Sequence, residues 1–421
     1  MSVDSLFSRW GRAATRILRI VARPVRVAQG EHGVVMKANR GYGSRAEIFM
    51  IGRVFRQSPP NRDARGDSLI HQLRDIGRRI SRRAVPGAVV TVEFYGTQQQ
   101  VTTDSDGYFR IHLSPRDRPL PDRLWHTVHL SLERPLPVRA EGQVYIPPER
   151  CRYVVISDID DTVVKTGVAN KLKMLWRLFV EDAESRTAFP GVAALYRALH
   201  AGASGREDNP MLYVSRAPWG IYDVLDEFFT QHAIPVGPIL FLREWGVSWT
   251  SPLPRKAQDH KRELIHNMLA LYHDLPFVLI GDSGQRDPEG YRQIVDENPG
   301  RVLAVYIRNV SHGTRRTREI EELAKTVVAA GSSLVLAADS SAIAEHAARL
   351  GLIDPAAVVA VESEEAAEGG TRTQVRTLHA ERSQSDGMAD RVTQGELRDV
   401  LKRSPDGEPP NVVVEPDNPQ G

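Results

Sequence analysis

The chain has 421 residues, enough for two or three domains, with 41% hydrophobic residues, 26% charged residues and a formal net charge of +2. That composition is globular, and the near-neutral balance gives no reason to expect nucleic acid as a partner. The single cysteine, Cys151, excludes a disulfide framework and favours a reducing compartment, and no apolar run approaches the roughly 20 residues of a membrane-spanning helix.

Residues 1–40 form a segment of their own. Arg9, Arg12, Arg16, Arg19, Arg23 and Arg26 are set against only Asp4 and Glu31. Leu6, Phe7, Trp10, Ala14, Ile17, Leu18 and Val21 fall between them, close to i, i+3, i+4, i+7 spacing, which predicts a basic amphipathic helix. Three readings are open: residues 6–26 lie on an anionic membrane surface, the apolar stripe docks on the protein's own domain, or the segment is an Arg-rich transit peptide. A cleaved secretory signal does not fit, because arginines interrupt the apolar stretch. The expected location is cytoplasmic, peripheral on membrane under the first reading.

Residues 41–148 read as a small antiparallel β-sandwich-like domain. Strands are predicted at Glu47–Phe55, Ala88–Tyr95, Gln99–Thr103, Tyr108–Leu113 and Trp125–Leu132, with a helical interruption around Ser68–Arg82. Gly96 marks one turn. Asp104, Asp106 and Gly107 mark another, read as a hairpin rather than a calcium loop because no acid follows at the required distance.

From residue 149 to 360 strands and helices alternate. Strands are predicted at Tyr153–Ile156, Met211–Val214, Pro238–Leu242, Pro276–Ile280 and Val302–Ile307. Helices are predicted near Val168–Glu184, Val192–Leu199, Ile221–His232, Lys261–Tyr272 and Arg292–Glu297, and one more strand and an Ala-rich helix follow within Ser332–Val359. The fold class is therefore α/β, a parallel sheet with helices on both faces, whose ligands bind beyond the carboxyl ends of the strands. Residues 361–421 turn to Glu, Gln, Gly, Pro, Asp and Arg and read as a disordered tail, with Val412-Val413-Val414 as either linker or a short docking segment.

The chemistry gathers at those strand ends. Ser157-Asp158-Ile159-Asp160-Asp161-Thr162 places two carboxylates one residue apart after an apolar strand, where they repel unless a cation lies between them. Tyr213-Val214-Ser215 brings a hydroxyl, Lys261 a cation at a helix start, and Gly281-Asp282 an acid followed five residues later by Asp287. Together they suit phosphoryl transfer to a carboxylate. Asp158 would be the nucleophile and Asp160 the acid/base, and Thr162, Ser215 and Lys261 would serve the phosphate. Asp158, Asp160 through its carbonyl, and Asp282 would hold a divalent metal, with Asp287 supporting the metal shell.

These motifs resemble the haloacid-dehalogenase superfamily and, more closely, the actin-patch-associated phosphatidate phosphatase family. The likeness rests on Ser157–Thr162 with Lys165-Thr166-Gly167, on Phe189-Pro190-Gly191-Val192, and on Tyr213-Val214-Ser215 with Pro218-Trp219. It extends to Leu242–Gly246, His260-Lys261 and Ile280–Gln285 with Asp287-Pro288-Glu289 and Tyr291. The resemblance implies a Rossmann-like haloacid-dehalogenase catalytic domain and a Mg2+-dependent conversion of phosphatidate to diacylglycerol. It assigns Asp158 as nucleophile, Asp160 as acid/base, Ser215 and Lys261 to phosphate and Asp282 to metal. The chain departs from the family pattern at Arg216, where a small polar residue is expected, and Lys256 competes with Lys261 for the lysine role.

Alternatives from other classes are weaker. A Ser283 hydrolase lacks the second elbow glycine, since Gln285 stands there. His260, His266 and His273 fit no zinc spacing. A membrane-associated scaffold with a secondary phosphatase domain has no reason to keep Asp158, Asp160, Lys261 and Asp282. The same chemistry on a soluble phosphomonoester or phosphoprotein stays open. The short stretch between the first two motifs leaves no room for a large cap, which suits a bilayer-embedded or macromolecular substrate.

Overall fold

The structure is a computed structural model that describes residues 33–56, 83–159, 190–215, 222–241, 257–283, 286–309, 314–367, 375–380 and 411–416. The predicted basic helix at 6–26, the helices near 68–82 and 168–184, and residues Asp160, Thr162, Arg216 and Lys256 lie outside the described residues. By its internal packing the chain divides into two compact units.

The first unit is a nine-stranded sheet system. Its strands are β1 (Val34–Ala38), β2 (Gly41–Gly43), β3 (Ile48–Arg56), β4 (Arg83–Ala84), β5 (Val89–Phe94), β6 (Thr97–Thr102), β7 (Tyr108–Leu113), β8 (Trp125–Leu132) and β9 (Val138–Tyr145). Pairing is antiparallel except for β2 with β9. Alternate residues point inward, so Val90, Val92 and Phe94 of β5 and Val128, Leu130 and Leu132 of β8 share one core with Met36, Met50 and Phe109. β9 escapes the sequence reading. Its signal is present in the alternation of Val138, Ala140, Gly142 and Val144 with charged or polar residues, but prolines at 135 and 137 and two charges disguise it.

The turn at Gly96 is a two-residue hairpin, with Phe94 opposite Thr97 and positive φ at both Tyr95 and Gly96, the combination that suits strand twist. The turn at 104–107 is no hairpin, because β6 pairs with β5 while β7 pairs with β3. The Asp104 carboxylate accepts from the amides of Asp106 at 3.0 Å and Tyr108 at 2.9 Å, so it serves the turn itself.

The helix Tyr222–Gln231 groups with this first unit. The Arg40 amide donates to the Tyr222 hydroxyl at 2.8 Å, the Lys37 ammonium lies 5.4 Å from the Tyr222 ring, and Arg40 pairs with Asp226. Ile239–Phe241 is a short strand.

The second unit carries β10 (Val154–Asp158), β11 (Met211–Ser215), β12 (Phe277–Asp282), β13 (Val302–Arg308) and β14 (Ser333–Ala337), ordered β11-β10-β12-β13-β14 and all parallel. Every residue of β10, β11 and β12 is buried, which is why these strands read as continuous apolar runs rather than alternating ones. The helices are α1 (Val192–Ala201), α2 (Ala257–Leu271), α3 (Asp287–Glu297), α4 (Thr314–Ala329), α5 (Ser340–Arg349) and α6 (Ala356–Ala367).

The tail differs from expectation. The chain stays helical to Ala367, and Val375–Ala380 and Asn411–Pro416 are strands, the latter antiparallel to β14 through Leu334 opposite Val414. Three consecutive valines have high strand propensity and complete the exposed edge that β14 would otherwise present.

Candidate active site

β10 and β12 are neighbours, and the chain continues from β10 to β11 on one side and from β12 to β13 on the other, so the connections diverge at their carboxyl ends. That is where open parallel sheets leave a crevice for ligands. Asp158 ends β10 and Asp282 ends β12, both buried at 4% and 1% exposure. Ser215 ends β11 one residue beyond Val214, the register partner of Asp158, and is buried too.

Lys261 comes from α2. The helix begins at Ala257, four residues before the predicted start, so Lys261 stands in its second turn rather than at its first residue. Its ammonium donates to Asp158 Oδ2 at 2.9 Å and to Asp287 Oδ1 at 2.5 Å. Burial works against the charge on Lys261, but the two carboxylates outweigh it and hold its pKa well above the usual lysine value. Burial pushes the Asp158 carboxyl up to about 6, with Lys261 pulling it down and Asp287 pushing it up.

Asp287 is brought in by α3, which starts five residues earlier than the apolar pattern predicts. Asp287-Pro288-Glu289 is a helix opening, with proline in the first turn and acids at the positive end of the dipole. The second Asp287 oxygen accepts from the Asp282 amide at 3.2 Å. Carboxylate oxygens of Asp158, Asp282 and Asp287 all lie within 4.8 Å of one another, a buried, all-oxygen donor set. Hard divalent cations such as Mg2+ favour that set, so these residues fit the metal that the motifs imply.

Two further residues of the motifs, Tyr291 and Gly281, take their supporting roles only in the fold. The Tyr291 hydroxyl donates to the Ile280 carbonyl at 3.0 Å, and its ring lies 5.0 Å from the Lys261 ammonium, a cation–π contact inside the protein. Gly281 makes room for Asp287: a Cβ there would stand 2.4 Å from Asp287 Oδ2 and 2.8 Å from its Cβ. We therefore expect Gly281→Ala to displace Asp287 and cost about tenfold or more in turnover. It should also cost about 1–3 kcal/mol in stability, the usual range for overpacking. Kinetics and denaturant titration check both, and wild-type turnover would remove the steric role.

The other candidates fall elsewhere. His266 bonds Glu297 at 2.7 Å and His273 pairs with its neighbour Asp274. Cys151 is a buried free thiol. The Ser283 hydroxyl faces Asn309 at 3.4 Å. Among the described residues no helix is long and apolar enough to cross a membrane.

Residues 153–309 match the family described as phosphatidate phosphatase APP1, catalytic domain. The chain is 31% identical over 229 residues to the phosphatidate phosphatase APP1 of Saccharomyces cerevisiae, covering 53% of this chain and 36% of that protein. It is 29% identical over 157 residues to an uncharacterised protein of Schizosaccharomyces pombe, covering 37% and 25% respectively. The chain thus spans about a third or less of the length of these relatives. Among solved structures, a carbohydrate acetylesterase from Xanthomonas citri aligns at 10% identity over 71% of this chain and 74% of its own, with a TM-score of 0.23, too loose to carry an argument. The resemblance to the phosphatidate phosphatase family read from the motifs is borne out over residues 153–309, which match that family's catalytic domain.

Proposed function

We propose that the domain matched to this family is a Mg2+-dependent phosphatidate phosphatase of the haloacid-dehalogenase type, releasing diacylglycerol and phosphate through a phospho-aspartate on Asp158. The observation that supports it most is the buried ion cluster: Asp158 at a strand end, 2.9 Å from Lys261, beside Asp282 and Asp287.

Asp158, Asp282 and Asp287, with the Asp160 carbonyl, would hold Mg2+, which neutralises charge on the transferring phosphoryl group. The Asp158 carboxylate attacks phosphorus, the bond from phosphorus to the lipid oxygen breaks, and Asp160 gives that oxygen its proton. Asp160 then takes a proton from water, which attacks the acyl phosphate, returns the Asp158 carboxylate and releases phosphate. Lys261 holds Asp158 in place and offsets the charge of the phosphoryl oxygens, and Ser215 donates to one of them.

Phosphate release with Mg2+ should be measured from phosphatidate in mixed micelles and from a soluble phosphomonoester, with Asp158→Asn as control. Activity on phosphatidate that the variant lacks supports the lipid reading. Activity on the soluble ester alone keeps the mechanism and moves the substrate, whereas none on either overturns the proposal.

The basic segment at 6–26 favours a lipid substrate, since anionic phosphatidate concentrates under clustered arginines. Deleting residues 1–30 is expected to weaken sedimentation with anionic liposomes while sparing hydrolysis of a soluble aryl phosphate. Unchanged sedimentation would assign the segment to internal docking or targeting.

A further inference from the structure

Arg316 lies outside the residues matched to the family and outside every motif read from the sequence. It stands in the first turn of α4, where a cation opposes the helix dipole, so helix stability does not explain its placement. Most of its guanidinium bonds reach beyond its own helix. Nε donates to the Ser283 carbonyl at 3.1 Å, and the two terminal nitrogens donate to the two oxygens of Glu289 at 2.5 and 3.0 Å. A weaker bond reaches Glu319 at 3.4 Å. The Glu289 hydrogen bond holds the arginine's pKa above its usual value.

Ser283 follows Asp282 and Glu289 follows Asp287 by two. One planar fork therefore joins the backbone carbonyl just past Asp282 to the side-chain carboxylate two residues past Asp287. From this geometry we infer that Arg316 is a positioning residue for the metal, fixing the separation of Asp282 and Asp287 through Ser283 and Glu289. Arginine is the only side chain that supplies this in-plane set of donors, and lysine offers a point charge without the fork. The pair is partly exposed, at 20% for Arg316 and 40% for Glu289, so its contribution to global stability is small while its effect on geometry is local.

This inference rests on the proposed metal-dependent phosphatase, and its test does not depend on turnover. Mg2+ is titrated calorimetrically into the full-length wild type and into the Arg316→Ala, Arg316→Lys, Glu289→Ala and double Ala variants. Each melting temperature is recorded alongside. We expect Arg316→Ala to weaken Mg2+ binding about tenfold, the scale of losses when groups that orient metal ligands are removed, with little change in melting temperature. Arg316→Lys should recover only part of the affinity, and the double variant should lose no more than the worse single one. Wild-type Mg2+ affinity in Arg316→Ala, or fully additive losses, would overturn the clamp, as would a wild type that takes up no Mg2+. If Arg316→Ala does not fold, Arg316→Lys and Glu289→Ala decide by the same criteria. Phosphate release by the wild type is scored separately. Its absence removes the phosphatase reading, while Mg2+ affinity still judges the clamp.

Discussion

Asp158→Asn is expected to fold and to lose phosphate release by about four orders of magnitude or more, the scale seen when a covalent nucleophile is removed. The amide occupies nearly the same volume and its oxygen still accepts from Lys261, but it cannot form the acyl phosphate. Stability should not fall. Burial raises the Asp158 carboxyl to about 6, so its ionised form is held at a cost near neutral pH, and a neutral amide removes that cost. Circular dichroism and thermal melting establish the fold, and single-turnover kinetics establishes the loss. Near-normal turnover in a folded Asp158→Asn protein would take the nucleophile's role away from this residue.

Lys261→Met should disable the protein in a second way, through both activity and stability. Lys261 is the cation that Asp158 and Asp287 share, and the side chains are 8% and 3% exposed. Methionine keeps the length and apolar stem but leaves the three clustered carboxylates without the lysine charge. Removing one partner of a buried ion pair costs about 3–5 kcal/mol, because the remaining charge stays desolvated. We expect a loss of that size by denaturant titration without metal, together with loss of phosphate release. Added Mg2+ should return part of the stability, since a ligand that binds only the folded state stabilises it by mass action. A change below about 1 kcal/mol, the worth of an exposed pair, would show that the cluster is solvated rather than buried.

Much of the second unit was legible because buried parallel strands leave unbroken apolar runs. Val154–Asp158, Met211–Ser215 and Phe277–Asp282 each end at the polar residue that the motif reading singled out. Boundaries were legible where turn chemistry was explicit, as at Tyr95-Gly96, and obscure where proline and charge interrupted the pattern, as before Val138. Two helix starts, at Ala257 and Asp287, precede the predicted residues because apolar periodicity there begins only after the first turn. Asp287 was therefore separated from the helix that aims it, although Asp-Pro-Glu is itself an opening signature. The strand at 411–416 reads as linker or docking segment in the sequence because an acidic, proline-containing neighbourhood outweighs three valines.

The sequence by itself determined which chemical groups stand at the strand ends: carboxylates at 158 and 282, a hydroxyl at 215, and a lysine on the helix preceding 282. Local spacing decides these, since strand and helix periods depend on near neighbours only. Which groups meet was decided by the tertiary structure. Lys261 reaches Asp158 across 103 residues and Asp287 across 26. Arg316 closes on Ser283 across 33 and on Glu289 across 27. Periodicity assigns a residue to an element and a face, but contacts between distant elements are set by how the sheet orders its strands and how each helix packs against it. For that reason Gly281 reads as the glycine of a Gly-Asp motif in the sequence, and as the space Asp287 needs in the fold.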